Sequence, residues 1–224
     1  WKELGVTNLA ELEAAAESGK LATLPGWGEK TAQNVLKGIQ QARSLDDRVM
    51  LANALPIAQA VVDALRQAPG VLDADMAGSL RRRKETVGDI DILCAAHDTA
   101  PVVAYFTQLP QADKVVSAGD SKATILLHNG LTADLMVLPP ESWGSLLQHF
   151  TGSKEHNIQL RSLAVADGLH ISEYGITQND ALTRYADERD VYRALGMDWI
   201  PPELREGSGE IQAARAHKLP RLIA

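Results

Sequence analysis

The chain has 224 residues, which is enough for one large domain or for two to three small ones. Its 45% hydrophobic and 23% charged residues are typical of globular proteins and exclude a disordered chain, a collagen and a coiled-coil rod. No apolar run approaches the roughly 20 residues of a membrane-spanning helix, and a net charge of −7 excludes binding of nucleic acid through a global basic field.

The first 46 residues are predicted to be helical. Asn8 and Glu11 have the spacing of a capping box ahead of an Ala-rich helix. The segment Leu24-Pro-Gly-Trp-Gly-Glu-Lys30 predicts a tight glycine turn that leads into a second helix. A polar stretch from Gln40 to Asp47 then indicates a domain boundary.

A helix and a set of strands are predicted next. Ile57, Val61 and Leu65 repeat at helical spacing behind Pro56, and Pro69-Gly70 ends the pattern. The apolar period then changes to that of strands. We expect strands over Val71–Ala77, Asp89–Ala95, Thr124–His128 and Leu131–Leu138, with the last two joined as a hairpin at Asn129-Gly130.

From Glu141 onward the chain is predicted to be mainly helical again. Ser153 is expected to cap the start of one helix and Gly168 to end it. A short strand is expected over Ile171–Ile176 and a last helix over Asp187–Leu195. We interpret the Pro- and charge-rich residues 205–224 as a linker.

Three aspartates on the predicted strands are candidate metal ligands. Asp89 and Asp91 point to the same face of one strand, whereas Ile90 and Ile92 make the other face a core face. Asp134 lies in the hairpin strand, so neighbouring strands would bring three carboxylates together. Such a cluster is repulsive without a cation, and its oxygen ligands suit Mg²⁺ or Mn²⁺. Ordinary solvated aspartates are the alternative for each residue taken singly.

A small-residue turn followed by a basic run, Gly78-Ser-Leu-Arg-Arg-Arg-Lys84, precedes the aspartates. Backbone N–H groups, a hydroxyl and adjacent cations can together neutralise a polyphosphate. A solvated charge run is the commoner interpretation of such a segment, but this run lies beside the predicted carboxylate–metal site. Metals and arginines around one anion describe a bound nucleoside triphosphate and its divalent cation.

Several segments resemble one family. The run from Gly78 to Leu93, with Gly-Ser and Asp89-Ile-Asp91, resembles the nucleotidyltransferase superfamily and, within it, the bacterial family X DNA polymerases. Phe150-Thr-Gly-Ser-Lys-Glu-His-Asn157 is similar to the nucleotide-binding segment of that family. The segment from Leu24 to Lys30 resembles a helix-hairpin-helix motif that holds the DNA backbone. In bacterial members, a segment like Pro202-Glu-Leu-Arg205 precedes a polymerase-and-histidinol-phosphatase domain.

The resemblance covers nearly the whole chain and implies an α+β fold. Residues 47–140 would form a nucleotidyltransferase palm with a small antiparallel or mixed sheet. A helix-hairpin-helix DNA-binding subdomain would occupy residues 1–46, and an α/β subdomain for the nucleotide and nascent base pair would occupy 141–204. The chain begins at Trp1 without a Met, and we interpret it as truncated at both ends, with 205–224 leading toward a missing domain.

The activity implied by the resemblance is that of a DNA-directed DNA polymerase that fills short gaps in DNA repair. It would transfer a nucleotide from a dNTP to a primer 3′-hydroxyl with two divalent metal ions, Mg²⁺ or Mn²⁺. The partners would be gapped or primer–template DNA and the dNTP, and the chain would act as a monomer. The single cysteine, Cys94, is typical of a reducing compartment, so we expect a cytoplasmic protein.

The resemblance also assigns residues to these roles. Asp89, Asp91 and Asp134 would be the catalytic metal ligands. The dNTP contacts would come from both nucleotide-binding segments and the helix that follows: Ser79, Arg82, Gly88, Phe150, Gly152, Asn157 and Arg161. Contacts with the DNA backbone would come from the glycine turn near the start of the chain: Gly26, Gly28 and Lys30.

Two residues depart from the family pattern, and two other functions stay open. His149 stands where members commonly have a Tyr beside the sugar of the incoming nucleotide. Met136 stands where relatives often have an Arg that is associated with the change of the enzyme from an open to a closed conformation. A nucleotidyltransferase with a non-DNA acceptor would not need Asn157, Arg161 or the hairpin motif. A non-catalytic DNA-binding scaffold would need no metal-dependent dNTP binding, which distinguishes it from both enzymes. Dependence of the activity on a primer would distinguish the DNA polymerase from the nucleotidyltransferase with another acceptor.

Overall fold

A computed structural model describes residues 4–24, 26–46 and 48–221 of the chain. It divides the chain into two compact units, of which one extends to Arg48 and the other begins at Val49. Positions outside the described residues include four to which the sequence interpretation referred: Trp1, Pro25, Asp47 and Ala224.

The first unit is a helical hairpin. Helix α1 spans Leu9–Glu17, a 3₁₀ turn spans Lys20–Thr23, and α2 spans Glu29–Asp46. The predicted N-cap is confirmed, because the Asn8 side chain accepts a hydrogen bond from the Glu11 N–H at 2.9 Å. The apolar contact between these elements is formed by small and aliphatic side chains: Ala15, Ala16, Leu21 and Ala32.

No helix in the described part of the chain is long and apolar enough to cross a lipid bilayer.

The second unit contains a five-stranded mixed sheet. Its elements up to the last of these strands are β1 (Val49–Met50), α3 (Leu51–Arg66), β2 (Asp73–Met76), α4 (Gly78–Arg81), β3 (Thr86–Val87), β4 (Ile90–Ala95), α5 (Ala100–Thr107), β5 (Ala112–Ala118), β6 (Lys122–Leu127) and β7 (Thr132–Leu138). The sheet order is β2-β4-β7-β6-β5, and β1 pairs separately with β3. β4 and β7 are parallel, whereas the other neighbours in the sheet are antiparallel. The mixed sheet confirms the predicted α+β fold.

Helices cover both faces of this sheet. On one face α3 and α5 contribute Val61, Leu65 and Phe106, all fully buried, to a core with Ile90 and Ile92. Burial of each such large side chain contributes roughly 1.5–3 kcal/mol. A smaller apolar cluster on the other face includes Ala77, which directly precedes α4, and side chains of β4, β7 and the helix after β7: Leu93, Met136, Leu138, Leu146 and Leu147. The alternation of the strands therefore separates the face that packs against α3 and α5 from the face that carries the aspartates.

The chain after β7 forms a second α/β layer. It consists of a 3₁₀ turn (Pro140–Ser142), α6 (Trp143–Thr151), α7 (Lys154–Ala166), β8 (Leu169–Ser172), β9 (Gly175–Gln178), β10 (Ala181–Thr183), α8 (Glu188–Ala194), a 3₁₀ turn (Pro202–Leu204) and α9 (Glu210–Arg215). The cap at Ser153 is confirmed, because its hydroxyl accepts from the His156 N–H. The single strand expected over Ile171–Ile176 is wrong: a turn there pairs Ser172 with Gly175 in a hairpin.

The linker predicted for residues 205–224 is wrong over its described part as far as α9. Arg205 is fully buried. Ile211 and Ala214 of α9 belong to the same apolar cluster as Leu160 and Val191. Charged residues in this segment suggested a solvated linker, but some of their side chains are buried partners of ion pairs. The helix α8 is consequently not the last helix.

Candidate active site

Three carboxylates converge at the adjacent ends of β4 and β7. The parallel register places Asp91 directly opposite Asp134, and Asp89 comes one residue before β4. One carboxylate oxygen from each residue lies within 4.8 Å of the other two. The structure therefore brings together the three aspartates that the sequence singled out, on the face opposite the buried Ile90 and Ile92.

The electrostatics of this cluster favour a bound cation. Burial, together with repulsion from Asp89 and Asp134, raises the pKa of Asp91 to about 7, although Arg82 opposes the shift. The Thr124 hydroxyl on β6 donates a hydrogen bond to the Asp134 carboxylate. A cluster that retains a proton near neutrality has more negative charge than its surroundings compensate. Its oxygen donors fit Mg²⁺ or Mn²⁺, which would displace that proton.

The turn that carries Gly78 and Ser79 lies directly against Asp91. Gly78 has a φ of +54°, and a Cβ atom at this position would lie 1.9 Å from the Asp91 Oδ2 atom. The Ala77 N–H donates to the Asp91 carbonyl oxygen at 2.8 Å. A glycine is required here because the backbone conformation and the close approach both exclude a side chain. Ser79 follows it in α4 and is half-buried.

Arg82 connects the two segments that resemble nucleotide-binding motifs. Its Nη1 donates to the Thr151 carbonyl oxygen, and its Nε donates to Glu206 Oε1 at 3.0 Å. A Cβ atom on Gly152 would lie 3.1 Å from the Arg82 Nη1. The glycine therefore lets the backbone between α6 and α7 approach the guanidinium closely. The basic turn and the Phe-Thr-Gly-Ser segment, about 70 positions apart, therefore form one site.

A buried ion-pair network lies behind this site, and sequence reasoning missed it. Arg81 binds Glu188 through both Nη atoms, at 2.8 and 3.0 Å, and Arg205 donates to the same carboxylate at 2.6 Å. Burial alone would raise the pKa of Glu188, but Arg205 and Arg81 outweigh it and lower the pKa to about 2. More than 100 positions separate Arg81 from Glu188, so no local pattern indicates the pair.

A cavity of about 380 Å³ opens beside the carboxylates and is lined by Asp91, Asp134, Lys122, Thr124 and Phe150, among others. Phe150 was predicted as a dNTP contact, whereas Lys122 and Thr124 were not predicted. Alternation along β6 could have identified them, because Ala123 between them is buried. In the sheet Thr124 is paired with Asp134, and Lys122 with Met136.

The two residues expected on one face of α7 differ in their surroundings. Asn157 is 9% exposed; its amide accepts from Gln148 at 2.9 Å and donates to the His149 carbonyl oxygen at 2.7 Å. Arg161, one turn later, is exposed. Burial lowers the pKa of His149; Glu173 opposes this shift, and Arg161 adds to it. The side chain of Asn157 thus ties α7 to α6, and Arg161 lies near His149.

The remaining predicted residues lie in two places. Gly88 is half-buried in the short connection between β3 and β4, directly before Asp89. In the first unit Gly26, Gly28 and Lys30 are all exposed at the start of α2. The Gly28 carbonyl oxygen accepts the N–H groups of the first turn of that helix.

Comparison with known proteins shows one family match and several relatives. Residues 146–206 match the family model described as the DNA polymerase beta thumb. The chain is 34% identical over 216 residues to the DNA polymerase/3'-5' exonuclease PolX of Bacillus subtilis (strain 168), covering 95% of this chain and 38% of that protein. It is 27% identical over 221 residues to DNA polymerase lambda of Rattus norvegicus, covering 83% of this chain and 38% of the relative.

A human relative, DNA-directed DNA/RNA polymerase mu, is 22% identical over 224 residues, covering 79% of this chain and 45% of that protein. The chain therefore spans less than half the length of each of these three relatives. The similarity to the bacterial protein extends over nearly the whole chain, including the carboxylate cluster and the segment matched by the thumb model. The chain belongs to family X of the DNA polymerases and resembles the bacterial members of that family.

Proposed function

We propose that this chain is a DNA-directed DNA polymerase core and that it fills short gaps during DNA repair. The observation that carries the proposal is the convergence of Asp89, Asp91 and Asp134 within 4.8 Å of one another. The Gly78 turn and Arg82 lie against the same cluster. Carboxylates for cations and an arginine for an anion, side by side, suit a metal–triphosphate complex.

In this proposal the three aspartates hold two divalent ions, Mg²⁺ or Mn²⁺. Such ions, when bound, lower the pKa of the primer 3′-hydroxyl and stabilise the departing pyrophosphate. Asp89 and Asp91 would ligate both ions. Asp134, fixed by the Thr124 hydroxyl, would ligate the catalytic ion and help to deprotonate the 3′-hydroxyl.

The nucleotide would be held mainly through its phosphates, since phosphoryl transfer depends on in-line positioning and on neutralised charge. Ser79 and Arg82 would bind the β- and γ-phosphates, and Gly88 and Gly152 would let the backbone come close. Phe150 lines the cavity beside the carboxylates.

The nascent base pair and the duplex would contact other parts of the chain. Arg161, exposed on α7, would lie along the minor-groove side of the base pair. Asn157 would hold α7 in place against α6 through its hydrogen bonds with Gln148 and His149. Gly26, Gly28 and Lys30 would present N–H groups and one cation to the DNA backbone. Gapped or primer–template DNA and a dNTP are thus the proposed partners of a monomer.

Nucleotide insertion into a duplex with a one-nucleotide gap tests this proposal. The protein should insert the templated nucleotide with Mg²⁺ or Mn²⁺, and Asp91→Ala should reduce the rate at least about 1,000-fold, because it removes a ligand of both ions. DNA affinity should change little. Asp98→Ala, which removes an exposed aspartate just after β4, is the matched control and should retain activity.

Three outcomes would contradict the proposal in different ways. Near-normal turnover by Asp91→Ala would exclude the metal assignment. Metal-dependent dNTP binding without insertion would favour a different acceptor. Absence of both insertion and metal-dependent dNTP binding would favour the scaffold function.

A further inference from the structure

Glu206 contacts the cations of the proposed triphosphate site from outside both nucleotide-binding segments. Its Oε1 atom accepts from Arg82 Nε at 3.0 Å, and its Oε2 atom lies 3.3 Å from Lys84 Nζ. The side chain of Glu206 is 33% exposed and that of Arg82 is 13% exposed. Each oxygen of one carboxylate therefore binds a different cation of the basic turn.

The contact with Glu206 limits how the Arg82 guanidinium can turn. The guanidinium is planar and carries five donors in fixed directions. Glu206 takes the Nε donor and the Thr151 carbonyl oxygen takes an Nη1 donor. Two acceptors on different sides fix the plane, and within the described residues the Nη2 donors are left for an anion.

The backbone on each side of Glu206 is itself anchored. The Ser153 N–H donates to the Arg205 carbonyl oxygen at 3.0 Å, and Gln159 Nε2 donates to the Gly207 carbonyl oxygen at 2.9 Å. The Gly207 N–H donates to Glu210 at 2.8 Å. The backbone at Glu206 is thus held by hydrogen bonds of its neighbours, and its carboxylate is held by Arg82 and Lys84.

We propose that Glu206 is a positioning residue that orients Arg82 toward the triphosphate of the incoming nucleotide. The inference rests on the proposed function, in which Arg82 binds the β- and γ-phosphates. A charge-assisted hydrogen bond to Nε fixes the fork in advance, so less conformational freedom is lost when the nucleotide binds. The opposite role is that of a competitor, in which the carboxylate occupies the cations and weakens the binding of phosphate.

Equilibrium titration with a dNTP separates these two roles without catalysis. The protein is bound to gapped duplex with a dideoxy-terminated primer and Mg²⁺, and the complementary dNTP is added. Glu206→Ala should raise the dNTP Kd about five- to tenfold, whereas Glu206→Gln keeps an acceptor for Nε and should stay within about twofold. The corresponding nucleoside monophosphate, which lacks the β- and γ-phosphates, should bind all variants alike. Glu141→Gln, which neutralises an exposed carboxylate elsewhere, should behave as wild type.

Kinetics and a second background complete the test. In single-nucleotide insertion, Glu206→Ala should raise KM by the same factor and keep kcat within about twofold. In a protein that already carries Arg82→Ala, the further substitution Glu206→Ala should raise KM by less than twofold, because the residue that Glu206 orients is gone.

Tighter or unchanged dNTP binding by Glu206→Ala would overturn the inference, and so would loss of the folded circular dichroism spectrum, which would give Glu206 a role in folding. A wild-type protein that neither binds nor inserts dNTP would instead refute the proposed function. Normal insertion by the wild-type protein, together with unchanged dNTP binding by Glu206→Ala, would refute only the role of Glu206.

Discussion

Gly78 lets the backbone approach Asp91 more closely than a side chain would allow. A Cβ atom there would lie 1.9 Å from Oδ2, so Gly78→Ala must displace either the turn or the carboxylate. A displacement of about 1 Å at a reacting centre can cost roughly 100-fold in rate. We therefore expect Gly78→Ala to reduce kcat/KM for nucleotide insertion at least about 100-fold, as measured on gapped duplex.

Gly70 offers a matched control for this substitution. It also has a positive φ, +84°, but a Cβ atom there would meet nothing within 4 Å. Gly70→Ala should therefore share the backbone cost of about 1–2 kcal/mol in unfolding free energy and keep its insertion activity. Equal activities of the two variants would show that the approach of Gly78 to Asp91 has no bearing on the chemistry.

At the scale of single residues, part of the site was predictable because short-range periodicity encodes it. Two-residue alternation places Asp89 and Asp91 on one face, and the parallel register of β4 and β7 brings Asp134 to the same face. The contact between Arg82 and Glu206 was not predictable, because 124 positions separate these residues. The charged residues of 205–224 indicated a linker, but several of them form ion pairs or hydrogen bonds within the folded chain.

At the scale of elements, strong local signals predicted more than weak ones did. The hairpin at Asn129-Gly130 is confirmed as β6 and β7, since that turn has a distinctive conformation. The edge strand β5, Ala112–Ala118, was missed, because it is exposed along nearly its whole length and shows no apolar alternation. The segment Ile171–Ile176 was predicted as one strand, but a tight turn between Ser172 and Gly175 divides it between two strands.

Helix α8 is attached to α4 by an ion pair whose contribution to stability depends on pH. Glu188 at its start binds Arg81 of α4 and also Arg205. The pKa of Glu188 in the folded protein is about 2, below its ordinary value of 4.5. Its stabilising effect is therefore complete above about pH 4.5 and is lost as the pH falls toward 2.

Glu188→Gln should destabilise the protein by about 3–5 kcal/mol at pH 7, because it leaves buried arginine charge without a partner. Urea unfolding of wild type and variant at pH 7 and pH 3 measures the difference, which should narrow at pH 3. Glu155→Gln, an exposed carboxylate on α7, should differ from wild type by less than about 0.5 kcal/mol at both values. A difference that stays constant with pH would contradict the assignment of the pKa to this ion pair.

At the scale of the whole molecule, the net charge of −7 requires that contacts with DNA phosphates be local. Lys30 is exposed in the first turn of α2, next to the glycine turn. Lys20 is an exposed lysine of the same unit, in the preceding 3₁₀ turn. The two residues carry equal charge, so their substitution distinguishes a specific contact from a general electrostatic effect.

We expect Lys30→Ala to weaken the binding of gapped duplex about three- to tenfold and to reduce the slope of log K against log salt by about 1, the value for one lost phosphate contact. Lys20→Ala should change both quantities much less, and neither variant should alter the dNTP KM at saturating DNA. Fluorescence anisotropy between 50 and 200 mM salt measures both. Equal losses by the two variants would mean that the first unit attracts DNA only through its total charge, so that the turn itself makes no phosphate contact.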